Sequence, residues 1–209
     1  MPGRPRMTSD ADVLAATSRV IDRLGPARLT LAAVASEAGL APATLVQRFG
    51  SKRGLLLSFA AQGAAAVAEA FAKARAESPS PLGALFSALS SMTRDVATPE
   101  AMANHLAFLQ MDLSDPEFYT YTLDHACTVR AGTREFLVAA VEVGELVPCD
   151  TTQLARAVQT AFNGALVTWA IFRDGAVDAW VQDDIKTVLR PFEQGPQPQG
   201  IPNGTEGRH

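Results

Sequence analysis

An all-α fold is what the 209-residue sequence predicts, and three observations carry that reading. Apolar residues recur at three- and four-residue steps in segment after segment, the period of an amphipathic helix. No alternating apolar and polar run of useful length signals a strand. Gly, Pro and Ser/Thr residues fall where helices must start and stop. With 47% hydrophobic and 19% charged residues, the chain is long enough to bury a sizeable core without disulfides or metals.

The first helix carries Val13, Leu14, Val20, Ile21 and Leu24 as its stripe, opens at Ser9-Asp10 and stops at Gly25-Pro26. Thr30 caps a short second helix with Leu31, Val34, Ala35 and Ala38 inward, and Gly39 supplies its left-handed end. Pro42, favoured in a first turn, opens a third helix with Leu45 and Phe49 on one side. Gly50-Ser51 breaks it, and Ser51 caps a fourth helix of about 26 residues that ends before Ser78-Pro79-Ser80-Pro81. Further helical segments follow at 82–97, 99–113, 116–144, 151–173 and 177–192. The Pro/Gly-rich stretch from Gln194 has almost nothing to bury and reads as a disordered tail. The domains expected are 1–56, 57–192 and a tail over 193–209.

Net charge is −4, but it is unevenly spread. Residues 1–56 carry +4 and residues 57–209 carry −8, a basic end on an acidic body. That asymmetry suits a short DNA-reading module joined to a domain of another kind. The opening Met1-Pro2-Gly3-Arg4-Pro5-Arg6 lacks the apolar core of a secretion signal. Charged or polar groups interrupt every long apolar run, so no membrane span is expected. Two cysteines, Cys127 and Cys149, form no disulfide framework and fit a reducing compartment. A cytoplasmic protein is expected.

Two short helices separated by a glycine turn have the size of a helix-turn-helix, whose second helix enters the major groove. Residues 100° apart put Leu45 and Phe49 on one side of the third helix and Ala43, Thr44 and Gln47 on the other, with Arg48 beside them. Ala43 permits close approach, Thr44 suits a phosphate or thymine methyl, Gln47 suits adenine, and Arg48 suits guanine or phosphate. Lys52 opens the next helix near the same DNA backbone.

The run Thr30–Leu56 resembles the N-terminal domain of the TetR family of transcription regulators. Thr30, Val34-Ala35, Ala38-Gly39, Thr44-Leu45, Phe49, Lys52 and Leu55 stand where that family shows its pattern. The resemblance adds Thr30 to the DNA-binding set. It also implies that Arg4 and Arg6 form a flexible basic arm that probes a minor groove. Ala41 and Val46 depart from the family's usual Ser and Tyr, which removes one phosphate contact, and Gln47 and Arg48 replace its commoner His and Tyr.

What the resemblance implies is a homodimer on double-stranded DNA with a palindromic operator, since paired half-sites need paired readers. It further implies that the last two long helices pair across a two-fold axis. Leu154, Val158, Ala161, Ala165 and Trp169 on one, and Val177, Trp180, Val181, Ile185, Val188, Leu189 and Phe192 on the other, form the apolar stripes. The alternative is that both stripes pack inside one chain. The middle helices gather aromatics with a few polar groups, which suits a small hydrophobic effector. His105, Phe108, Tyr121, His125 and Asn163 are the candidate effector contacts, with ordinary core packing as the alternative for each aromatic.

An enzyme is not expected. His125 and Cys127, two apart, diverge on a helix, and His105 meets only Leu109 one turn on, so neither makes a metal pair. No phosphate loop or nucleophile elbow is present, and no cofactor is implied. The function expected is a ligand-responsive repressor released from its operator by a small hydrophobic effector. The rival reading is a helical small-molecule-binding module without operator binding.

Overall fold

The computed structural model describes residues 8–194; the arm residues Arg4 and Arg6, and the tail from position 195, lie outside them. Among the described residues the chain forms nine α-helices and two short 3₁₀ turns. These are α1 (Asp10–Arg28), α2 (Leu31–Ala38), α3 (Pro42–Phe49), α4 (Lys52–Glu77), α5 (Pro81–Met92), α6 (Pro99–Ser114), α7 (Pro116–Glu142), α8 (Thr151–Phe172) and α9 (Val177–Leu189). The fold is all-α, as the periodicity requires.

Local chemistry explains most boundaries. Ser9 and Asp12 close a capping box on α1, and the side chains of Thr30, Ser51, Ser80 and Thr98 each accept an amide hydrogen at their own helix start. Pro42, Pro81, Pro99 and Pro116 stand in first turns, where their missing N–H costs nothing. Gly25 breaks the regular helix where expected: its backbone, at φ 72° and ψ 165°, is not helical, and a short second helical stretch carries α1 on to Arg28. The positive φ favours glycine, and a Cβ there would meet Asn104 Oδ1 of α6 at 2.6 Å, so the Asn104 amide would have to swing aside.

The apolar side chains sort into two cores. The smaller is built by α1, α2 and α3 with the start of α4, and includes Val13, Val20, Ile21, Val34, Leu45, Leu55 and Leu56. It does not stop at residue 56. Phe108 of α6 and Phe118 of α7 are buried in it, and Phe59 packs against it. The larger core lies in the body, where Phe71 of α4 stacks on Phe136 of α7 at 5.6 Å between ring centroids. Glu193 and Gln194 leave the expected tail and join the body, through a backbone bridge to Leu146 and a hydrogen bond to the Glu145 carbonyl.

The stripes on α8 and α9 mostly face each other within one chain. Leu154, Val158, Ala165 and Trp169 are buried with Val177, Val181, Ile185 and Leu189. Ile185 therefore belongs to the chain's own core and not to a partner surface. Trp180 is half-buried, stacks on the exposed Phe172 at 5.8 Å, and donates its indole N–H to the Asp174 carbonyl. Beside it α8 exposes Ala157, Thr160, Gly164 and Ile171, small groups capped by one large apolar residue.

Contrary to the charge-spacing argument, α4 is by length and composition apolar enough to cross a bilayer. Its alanine run is the reason. The helix spends its larger side chains on the two cores, with Leu55 and Leu56 in one and Val67 and Phe71 in the other.

Candidate nucleic-acid interface

Leu45 anchors α3: it is completely buried, whereas Phe49, expected beside it, is half-buried at the edge of the same core. The opposite side of α3 is free. Ala43, Val46 and Gln47 are exposed and Thr44 is half-exposed. Ala41 caps α3 without a side-chain acceptor, which leaves first-turn amides available to an anion. Thr30 accepts the Ala33 amide at 3.1 Å, so its hydroxyl already serves α2.

Two of the expected cations have protein partners. Arg48 donates through Nη1 to the Thr8 carbonyl at 2.9 Å and pairs with Asp10, which ties the end of α3 to the start of α1. Lys52 donates to the Ala27 carbonyl at 3.0 Å. Arg19 and Arg23 of α1 both hold Glu37 of α2, at 2.8 and 3.2 Å, and the Arg19 hydrogen bond leads the effects that keep the Glu37 carboxyl below the usual range. Asp10 lies 38 residues from Arg48, and Glu37 lies 18 and 14 residues from Arg19 and Arg23, separations that helical periodicity does not report.

The α3–α4 corner depends on Gly54. A Cβ there would overlap the Phe49 carbonyl, a backbone atom that cannot swing away. Gly54→Ala is expected to force α3 and α4 apart and to destabilise the chain by about 1–3 kcal/mol, the range for overpacking. Urea unfolding measures this, and an unchanged midpoint would mean the corner yields freely.

The expected effector contacts are spread over α6, α7 and α8. His105 Nε2 lies 2.7 Å from Asp22 Oδ1, and the neighbouring Asn104 donates to the Asp22 carbonyl at 2.7 Å, so this part of α6 clasps α1. Phe108 packs edge-on against Phe59 and Phe118, with centroids at 5.6 and 6.3 Å, in the smaller core. Asn163 is exposed on α8. Tyr121 and His125 are half-buried on α7. The His125 ring hydrogen-bonds the Gly63 backbone, and burial, only partly offset by that bond, pushes its pKa down.

Between the two cores runs a polar layer. On α7, between Phe118 and Val129, the inward positions Thr122, His125 and Ala126 are only half-buried. On α4 the matching gap holds Gly63 and Ala64, between Ala60 and Val67. Asp112 of α6 reaches this layer by accepting the Thr122 hydroxyl on Oδ2 at 2.8 Å. Asp112 is only 5% exposed, and its Oδ1 has no hydrogen-bond donor among the described residues. Burial raises its pKa to about 6 against the pull of the Thr122 hydrogen bond. The sequence held a signal for it: a carboxylate one turn beyond Phe108, on the side of α6 that is otherwise inward.

Residues 13–59 match the family described as bacterial regulatory proteins, tetR family. No curated protein matches the chain. Its fold is similar to a TetR transcription regulator from Haloarcula marismortui, at 17% identity and a TM-score of 0.71, over 88% of this chain and 98% of that one. It is also similar to FadR from Bacillus subtilis in complex with stearoyl-CoA, at 15% identity and a TM-score of 0.63, over 87% of this chain and 98% of that one. A third similarity is to KstR2 of Mycobacterium tuberculosis, a ketosteroid transcriptional regulator, at 15% identity and a TM-score of 0.60, over 91% and 98%.

Proposed function

We propose, from the premise that this chain belongs to the TetR family of transcription regulators, that it is a ligand-responsive repressor. In this reading a homodimer holds a palindromic operator in the cytoplasm, and a small hydrophobic effector releases it. The observation that carries the DNA half is the division of α3, with Leu45 sealed beneath and Ala43, Thr44 and Gln47 free above. A helix so divided can lay its outer face in a major groove without disturbing its own core. Exposed Ala157, Gly164 and Ile171 on α8, with Trp180 of α9, offer the surface for a second copy. Small residues there permit close helix approach. The stearoyl-CoA bound to the similar FadR supports an effector with a large apolar part.

The test is a binding titration at three salt concentrations, on an operator selected from a random duplex pool and on a scrambled duplex. Gln47→Ala is expected to change base preference by about 1–3 kcal/mol. Lys52→Ala is expected to weaken all duplexes alike and to flatten the salt dependence by about one unit of slope. Sedimentation of the same complex is expected to show two chains per half-site pair. If both variants bind as the parent does, with its salt slope, this face does not read DNA. The rival reading, a binding module without an operator, draws on the engaged Arg48 and on Val46, 50% exposed where many relatives carry Tyr. Selection that retains no duplex would favour it.

A further inference from the structure

We propose that the polar layer between the two cores is where the effector is recognised, and that Asp112 selects there for a protonated amine carried on an apolar body. The inference rests on the effector-sensing reading above and names the chemical class that reading leaves open.

Three observations meet at this layer. Asp112 is 5% exposed, one oxygen is satisfied by Thr122, and the other lacks a donor among the described residues. A buried carboxylate oxygen without a partner is costly, and the group that relieves it most is a charged N–H donor. The layer is also not sealed on every side: Gly63 and Ala64 on α4, and Tyr121 and His125 on α7, are each partly exposed. Its floor is apolar, because Phe108, one turn before Asp112, lies in the aromatic cluster with Phe59 and Phe118. His125 adds no competing cation, since its ring serves the Gly63 backbone and burial favours its neutral form.

The arrangement therefore offers one acceptor with negative charge beside aromatic surface. An anionic ligand head would face like charge. An alcohol would supply a donor without the charge, and would gain less. The place also suits a sensor: Asp112 shares α6 with Asn104 and His105, which clasp Asp22 of the DNA-side helix α1.

A charge series on one apolar body tests this with the full-length protein. The probes are 4-phenylbutylamine, 4-phenylbutanol and 4-phenylbutyrate, titrated by calorimetry at neutral pH. The amine is expected to bind at least about tenfold more tightly than the alcohol, with the carboxylate weakest. Asp112→Asn is expected to erase the preference for the amine while leaving the alcohol within about twofold. Thr122→Val, which spares the carboxylate, is expected to keep the preference, and melting curves of both variants report that they are folded. Equal binding of amine and alcohol, or an amine preference that survives Asp112→Asn, overturns the proposal. If all three probes fail while a neutral or anionic compound from a broad set raises the melting temperature and weakens DNA binding, the amine inference is overturned and the sensing function stands. If no compound of any charge does so, both are overturned.

Discussion

Replacing Phe108 with alanine is expected to destabilise the protein by about 3–5 kcal/mol, the range for a buried aromatic truncated in a core. The ring is 8% exposed and meets Phe59 of α4 and Phe118 of α7 edge-on. Its loss would open a cavity where three helices hold the N-terminal module to the body. The nearby ion pairs cannot substitute. Arg53 holds Asp115 at 2.8 Å and Glu117 at 3.1 Å and lies over the Phe118 ring, but it is about half exposed. Exposed pairs are worth about 0–1 kcal/mol. Arg53→Ala is accordingly expected to cost a fraction of what Phe108→Ala costs. Urea unfolding followed by tryptophan fluorescence and by circular dichroism measures both. Trp169 and Trp180 report the body alone, so an earlier helical transition would show the N-terminal module releasing first. A loss below about 1 kcal/mol would mean that the aromatic cluster does not join the two cores.

The second large effect has the opposite sign. Asp112→Asn is expected to stabilise the unliganded protein at pH 8 by about 1–3 kcal/mol. Burial raises the Asp112 pKa from 3.8 to about 6, so the folded state binds its proton more tightly than the unfolded state does. Below about pH 4 both states are protonated and the group costs nothing. As pH climbs from about 4 to 6 the unfolded chain ionises freely while the folded one resists, and stability falls. Above about 6 the full penalty is present. Asparagine cannot ionise and still accepts the Thr122 hydroxyl through its amide oxygen, so its advantage should be complete at pH 8 and shrink towards pH 4. Melting curves across that range measure it. A variant less stable than the parent at pH 8 would overturn the reading that the ionised carboxylate is a net cost to the fold.

How much of this was legible in the sequence follows the range of each interaction. Thr30, Gly39, Pro42 and Ser51 fix helix ends through bonds three or four residues long, and α2, α3 and α4 stand where those residues place them. The free face of α3 was equally legible, because Leu45 and Phe49 mark which side turns inward. Contacts made across the fold were not. Nothing near Phe108 states that its partners are Phe59 and Phe118, and nothing near His105 points to Asp22, 83 residues away. The stripes on α8 and α9 show the limit clearly. Periodicity reports that one side of a helix seeks apolar company, but Ile185 and Leu189 find it in their own chain. Asp112 was visible as a polar residue among aromatics, and only the packing of α6 on α7 makes it a buried one.

Helices α4, α6 and α7 each contribute to both cores, and the length of α4 has a mechanical consequence. At about 1.5 Å per residue, α4 is a rod of about 39 Å, with Leu55 and Leu56 seated at one end and Phe71 near the other. A tilt of about 5° about the body end sweeps its first turn through about 3 Å. Successive major-groove faces on one side of a duplex recur about every 34 Å. In the proposed dimer, two such rods tilting apart would change the spacing of the proposed recognition helices by about 6 Å, nearly a fifth of that repeat.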